Sequence, residues 1–256
     1  MSTLVPRPDW FFGDVVSHHE GESVRLTHAV ERAELIVAAG RLRRGTGYAS
    51  ASASARRSLA RVGAMLRLRS LGRHLVHASG VVDPVGRAWI LAGDSGSGKS
   101  TLAYALSRAG WSVLGDDGVV LDPAGDGLTV YGWNDPLRLS TSLSSHFSEL
   151  GRFGSLARSG DARGRYPMMV RTALAAPVAA IVFLAQAGQD SCVRLAPCTA
   201  LALLVRQSPW VFLNDGHSRC HLAALGRIVS LAPAFRLEHS PAQLHAIGGT
   251  LMETLQ

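Results

Sequence analysis

The segment Ala88-Trp-Ile-Leu-Ala-Gly93-Asp-Ser-Gly-Ser-Gly-Lys99-Ser-Thr-Leu102 constrains this chain more than any other stretch. Trp89, Ile90 and Leu91 read as a buried strand, and a helix is expected from Lys99, with Leu102, Ala105 and Leu106 on its apolar face. Between them Gly93 to Ser100 fits the pattern Gly-x-x-x-x-Gly-Lys-Ser. Glycines at that spacing permit a tight turn with positive φ, so that backbone N–H groups curl toward an anion at the helix N-terminus. The expected phosphate cradle is therefore Gly93, Asp94, Ser95, Gly96, Ser97, Gly98, Lys99, Ser100 and Thr101. Lys99 would reach the β and γ phosphates of ATP, and the Ser100 hydroxyl would ligate Mg²⁺.

Composition supports that reading independently. Of 26 basic residues only Lys99 is a lysine; the other 25 are arginine. The chain uses a planar guanidinium wherever a positive charge suffices, and keeps its single compact ammonium for the loop. Length (256 residues) and a hydrophobic fraction of 47% allow a substantial core in one large or two small domains. The net charge of +7 calls for an acidic partner: nucleotide, acidic peptide, nucleic acid or membrane surface. Cys192, Cys198 and Cys220 are too few and too irregularly spaced for a disulfide framework. The N-terminus has no apolar signal core, and the longest apolar run, Ala173 to Ala185, is interrupted by Pro177. These features together lead to the expectation of a soluble cytoplasmic protein with no membrane partner.

One helix beyond the loop, Gly110 ends the apolar face, and Trp111, Val113 and Leu114 form a short strand that runs into Asp116 and Asp117. Paired carboxylates at a strand end can be delivered beside the phosphates. One would hold Mg²⁺ with Ser100, and the expectation is Asp117; the other, Asp116, would take the proton of an attacking hydroxyl. An ordinary Asp-Asp-Gly turn before the next strand, Val119 to Leu121, is the plainer alternative.

The order His77-Ala-Ser-Gly-Val-Val, Gly93-Asp-Ser-Gly-Ser-Gly-Lys-Ser, Gly110-Trp-Ser-Val-Leu-Gly-Asp116-Asp117 resembles the catalytic domain of HPr kinase/phosphorylase. The resemblance implies an α/β fold: a PEP-carboxykinase-like, HPr-kinase-like variant of the P-loop fold, a mixed β-sheet with flanking helices. It also implies ATP-dependent phosphorylation of a serine on a carrier protein. In that family a histidine before the loop and the paired aspartates lie at the reaction centre, which maps the role onto His77, Asp116 and Asp117. Homo-oligomers are usual there. The likeness spans about Leu75 to Pro123. Thr101 stands where the carrier-protein kinases have glutamate, and their Glu-Ile-Arg-Gly-x-Gly signature is absent. Both departures point away from HPr itself and toward the shorter HPr-kinase-like enzymes of peptide-modification systems, some of which phosphorylate the C-terminal serine of lasso-peptide precursors.

The rest of the chain is read around this centre. Ser23 to Val30 alternates as a strand and Leu35 to Ala38 as another, giving a small β-rich lobe, or extra strands on the main sheet, over 1–50 ahead of a kinase domain over 51–256. Gly45 to Ser54 reads as a linker or mobile loop. Ser54 to Arg73 is helical, with Leu59, Val62, Met65 and Leu66 on one face and arginines on the other. That helix is either a solvated basic surface or a dock for an acidic precursor peptide; no aromatics are interleaved for base stacking, so nucleic acid is not expected. His77 is placed on a strand of a hairpin that feeds the loop. Arg138 is a phosphate-side cation or a surface ion-pair partner. Arginines among glycines from Gly151 to Arg171 suit either a loop that orders over ATP and substrate, with Arg163 and Arg165 as the best candidates for contact, or a solvated linker with no chemistry. Ala179 to Leu184 is a buried strand that Val193 to Leu195 pairs with or follows in a hairpin. Ser240-Pro-Ala-Gln243 caps a final helix. The expected activity is transfer of the ATP γ-phosphate to a serine hydroxyl of a peptide or protein. A small-molecule kinase and a nucleotide-dependent switch or ATPase remain as alternatives at this stage.

Overall fold

The computed structural model describes residues 10–125, 127–133, 136–150, 165–167, 169–213 and 216–240. The chain divides into two compact units, Met1–Leu75 with Trp210–Leu222 and Val76–Pro209 with Ala223–Gln256.

The first unit is an antiparallel meander of β1 (Trp10–Phe12), β2 (Val15–Glu20), β3 (Ser23–His28), β4 (Glu34–Ala38) and β5 (Arg41–Arg44), in that spatial order. One helix, α1 (Ala53–Ser70), lies on it. Alternation in β3 and β4 sends Leu26, Leu35 and Val37 inward against Leu59, Val62, Met65 and Leu66 of α1. Burying each such side chain is worth roughly 1.5–3 kcal/mol. The helix thus belongs with the meander, so the first unit runs past residue 50, where the sequence suggested a boundary. The stretch read as a linker ends in a defined cap: Ser52 Oγ accepts the Ala55 N–H at 3.1 Å. Glu31 accepts both the hydroxyl and the N–H of Ser52, at 2.6 and 2.7 Å. Those two bonds hold the Glu31 carboxyl below the usual carboxylate range.

One arginine of α1 departs from the expected solvated basic side. Arg69 is 1% exposed, with Nη1 2.7 Å from His221 Nδ1, and the His221 ring stacks on His74 at 4.6 Å. The reason is periodicity, since Leu59, Val62, Leu66 and Arg69 recur at three- and four-residue steps and share the buried face.

The chain passes into the second unit through β6 (His74–Val76). There β7 (Ser79–Val82) and β8 (Ala88–Ala92) form the expected hairpin. Its turn is tied by Asp83, whose carboxylate accepts from the N–H groups of Val85 and Arg87, the Arg87 guanidinium and the Trp89 indole. Burial alone would raise the Asp83 carboxyl, but these donors hold it below its ordinary value. After α2 (Lys99–Arg108) come β9 (Ser112–Gly115), β10 (Val119–Asp122) and β11 (Thr129–Gly132). A small ribbon pairs β12 (Arg138–Ser140) with β13 (Arg165–Pro167). The long strand β14 (Ala175–Gln186) organises the sheet. Its first residues pair antiparallel with β11, its middle runs parallel to β8, and its end runs parallel to β16 (Ala234–His239). Among the described residues β15 (Ser191–Arg194) pairs with β16, not with β14, which already has neighbours on both sides. Two helices, α3 (Pro197–Arg206) and α4 (Ser218–Leu231), complete the described elements.

The result is a mixed α/β fold. Leu102 and Leu106 of α2 pack with Trp89, Leu91, Val113, Leu137 and Phe147 in its main core. Strand direction positions the chemistry: β7 is antiparallel to both β8 and β9, so β8 and β9 run the same way. The loop after β8 and the aspartates after β9 therefore leave the sheet at one edge, where ligands of α/β sheets are held. No described helix is long and apolar enough to cross a membrane. The final helix expected after Ser240, and the arginines at 152, 158 and 163, lie outside the described residues.

Candidate functional site

The loop leaves β8 at Gly93, whose φ of +144° is closed to other L-residues. A Cβ there would sit 2.6 Å from Leu184 O and 2.7 Å from Ser97 Oγ. Gly98, at φ +96°, opens α2 as its N-cap, and Lys99 and Ser100 fill the first turn with half-buried Thr101. Asp94, Ser95 and Gly96 form the exposed tip. Lys99 is 7% exposed, and its Nζ donates to Gly93 O at 2.7 Å and Asp94 O at 3.0 Å. Burial pushes the ammonium below the ordinary lysine value, while the carboxylates of Asp117, Asp116 and Asp94 draw it back up. Ser97 Oγ is buried with no hydrogen-bond partner among the described residues.

Asp116 is 2% exposed and takes donors from several elements. Ser79 Oγ, at the start of β7, donates at 2.6 Å; Ser100 Oγ donates at 2.8 and 3.0 Å to the two oxygens; the Arg138 N–H reaches Oδ2 at 3.4 Å. This convergence requires close backbone approach. A Cβ on Gly132 would fall 1.9 Å from Leu114 O, so only glycine lets β11 approach β9 ahead of the aspartates.

Asp117 adopts φ +60°, a left-handed conformation that aspartate tolerates better than most residues. Its backbone O lies 3.2 Å from His77 Nδ1. Its half-buried carboxylate has no hydrogen-bond partner among the described residues and is the largest electrostatic influence raising Lys99. Both aspartates therefore face the loop lysine. His77 is not on a strand, as the sequence suggested, but in the break between β6 and β7. There its N–H donates to Gln207 O at 2.8 Å, which frees the ring from sheet alternation. Arg138 touches Asp116 through its backbone. Arg165 stands opposite Ser140 in the β12–β13 ribbon, and its side chain lies outside what is described.

No protein-family model matches the chain, and no curated protein does. A solved structure does. The chain is similar to the HPr(Ser) kinase/phosphatase from Coxiella burnetii, at 12% identity and a TM-score of 0.38, over 71% of this chain and 95% of that one.

Residues that the motif could not reveal also hold the loop. From the end of β14, Gln186 Nε2 donates to Gly96 O at 2.8 Å, and from the end of β16, His239 Nε2 meets Ser97 O at 2.8 Å. Arg206 and Gln207, the last residue of α3 and its C-cap, hold the Asp94 carboxylate at 3.3 and 3.4 Å. Binding the Gly96 and Ser97 carbonyls from outside fixes the turn, within which the Ser97 N–H is given to Asp94 O at 3.1 Å. The weak signal in the sequence was position: Gln186 lies just beyond the strand Ala179 to Leu184 expected to be buried.

His239 gives a direct test. His239→Leu is expected to weaken ATP binding in magnesium buffer about tenfold, because the buried Ser97 carbonyl loses its donor. His239→Gln, whose amide N–H replaces Nε2, should retain most of the affinity. Calorimetric titration checks the pair, and equal affinities for the two variants would reduce His239 to a packing residue.

Proposed function

We propose that the chain is an ATP- and Mg²⁺-dependent phosphotransferase of the HPr-kinase-like, PEP-carboxykinase-like P-loop type, with a serine hydroxyl of a peptide or protein as acceptor. The observation that carries the reading is the contact of Ser100 with Asp116 beside a glycine cradle holding the chain's one lysine. The donor chemistry fits both groups. Ser100 Oγ and the Asp116 oxygens lie 2.8 and 3.0 Å apart, about one edge of an octahedron with the roughly 2.1 Å ligand distances of magnesium. Among the described residues no three His, Cys, Asp or Glu side chains form a cage, so the ion would share its shell with phosphate and water. The unpartnered Ser97 hydroxyl and the buried ammonium suit an anion in the turn.

Magnesium would neutralise charge on the phosphates when bound. Ser100 and Asp116 would hold it, with Ser79 fixing the Asp116 carboxylate through its hydrogen bond. Lys99 would exchange its bonds to Gly93 O and Asp94 O for phosphate oxygens and steady the charge of the transferring group. Asp117, whose carboxylate has no competing donor among the described residues, would take the proton of the acceptor hydroxyl, oriented by His77 through the Asp117 backbone. This reverses the sequence expectation for the two aspartates. The serine acceptor, a lasso-peptide precursor as its best candidate, and a homo-oligomeric state rest on the motif resemblance, and a cytoplasmic location on the few, irregularly spaced cysteines.

The test is incubation of the purified protein with γ-labelled ATP, magnesium and serine-containing peptides. Label on a peptide serine is the expected result. Label appearing only as inorganic phosphate would mean hydrolysis and overturn the transferase reading.

A further inference from the structure

Between Glu34 and Asp83 the chain contains no acidic residue, yet it carries nine arginines: 41, 43, 44, 56, 57, 61, 67, 69 and 73. That exceeds the net charge of the whole protein, +7, so the remainder is net acidic. Most of this charge lies on two neighbouring elements of the first unit, β5 and α1. Arg41, Arg43, Arg44 and Arg57 are exposed, and among the described residues none pairs with a carboxylate.

The same place has shape as well as charge. β5 is the edge of the meander, bonded to β4 on one side, and all four of its residues are exposed. Register sets Leu42 and Arg44 on the α1 face and Arg41 and Arg43 on the other. On the α1 face an open groove of about 570 Å³ runs between Arg44, Tyr48 and the first turns of the helix, with Ala53 and Ala60 as a smooth wall. Its floor is fixed, since Arg56 Nη1 donates to Ala49 O at 3.2 Å and Ala51 O at 2.6 Å.

We propose that this face docks an acidic peptide segment, added as a strand along β5. Unpaired N–H and C=O groups on the edge strand give such a segment backbone hydrogen bonds, and alternate side chains then project to either face. Carboxylates on one side meet Arg41 and Arg43. Those on the other enter the groove between Arg44 and Arg57. Charges on an edge strand also guard against self-association, but that need not produce a groove or an acid-free run of this length. Nucleic acid fits less well. The aromatic ring in the groove, Tyr48, is covered by the Arg44 guanidinium at 5.6 Å and is not open for base stacking. The inference is independent of the phosphotransfer reading, because docking is measured without nucleotide.

The experiment uses the full chain and a fluorescein-labelled peptide of alternating Glu and Val, read by anisotropy. Saturable binding is expected, weakened at least about tenfold in Arg43→Glu/Arg57→Glu and reduced by added salt. An alternating Glu and Pro peptide, whose prolines cannot donate to a ladder, should bind at least about tenfold more weakly. The milder Arg41→Ala/Arg43→Ala variant, with an unchanged melting temperature, should also lose affinity, which separates docking from folding. No saturable binding, or equal binding of the proline peptide, would overturn the proposal. So would tighter binding of a duplex oligonucleotide or of phosphatidylserine vesicles that the same substitutions abolish.

Discussion

Lys99→Ala is expected to lower ATP affinity at least about 100-fold, a loss of about 2.8 kcal/mol, with little change in melting temperature. The ammonium is buried against the carbonyls of Gly93 and Asp94, and it is the only lysine among 26 basic residues. Removing it deletes the one positive charge inside the turn and takes the Nζ donor from Gly93 O, while Asp94 O keeps the Ser97 N–H at 3.1 Å. Lys99→Arg is the sharper variant. It keeps the charge, yet a planar fork cannot place a point charge where Nζ sits between those carbonyls, and little space surrounds a side chain that is 7% exposed. Affinity should fall nearly as far as in the alanine variant. Titration calorimetry in magnesium buffer gives the numbers, and thermal melts report folding. If the alanine variant binds ATP like the parent, the loop is not a nucleotide site. If the arginine variant does, charge alone suffices and the argument from the solitary lysine fails.

What the sequence disclosed was mostly local. The strand, glycine loop and helix from Ala88 to Arg108 follow from a short apolar run, residues able to take positive φ, and helical spacing. The hairpin before the loop was legible from its Asp-Pro-Val-Gly turn, and α1 from its apolar period. What escaped was set by distant contacts. His239 reaches the loop across 142 positions and Gln186 across 90, because β16 and β14 run parallel to β8 and end at the same edge. No local pattern encodes that. Ser79 belongs to the motif before the loop, but its bond to Asp116 depends on β7 starting at the edge where β8 ends. His77 was put on a strand because apolar residues surround it, whereas the pairing stops at Val76 and resumes at Ser79. Arg69 could have been read correctly: its spacing from Leu59, Val62 and Leu66 marks the inner face, and its charge obscured that.

Asp116→Asn and Asp117→Asn should fail in different ways, and the difference assigns their roles. Asp116 is buried and accepts from Ser79, Ser100 and the Arg138 N–H, so every neighbour presents a donor. An asparagine there must turn an NH₂ toward one of them, and it removes the charge that would balance a divalent ion. The expected result is loss of magnesium-dependent ATP affinity together with transfer, the turnover falling by about 10³ or more. Asp117 is half-buried, with no donor on its carboxylate among the described residues. Asp117→Asn should bind magnesium and ATP nearly as the parent does, yet transfer phosphate about 10²–10⁴-fold more slowly, as removal of a general base does. Equilibrium binding separates the cases without relying on turnover. Should Asp116→Asn bind magnesium and ATP normally and only slow transfer while Asp117→Asn loses magnesium, the roles stand as the sequence suggested. In that case the bond between Ser100 and Asp116 belongs to the nucleotide-free arrangement alone, and binding must move Ser100 from one carboxylate to the other.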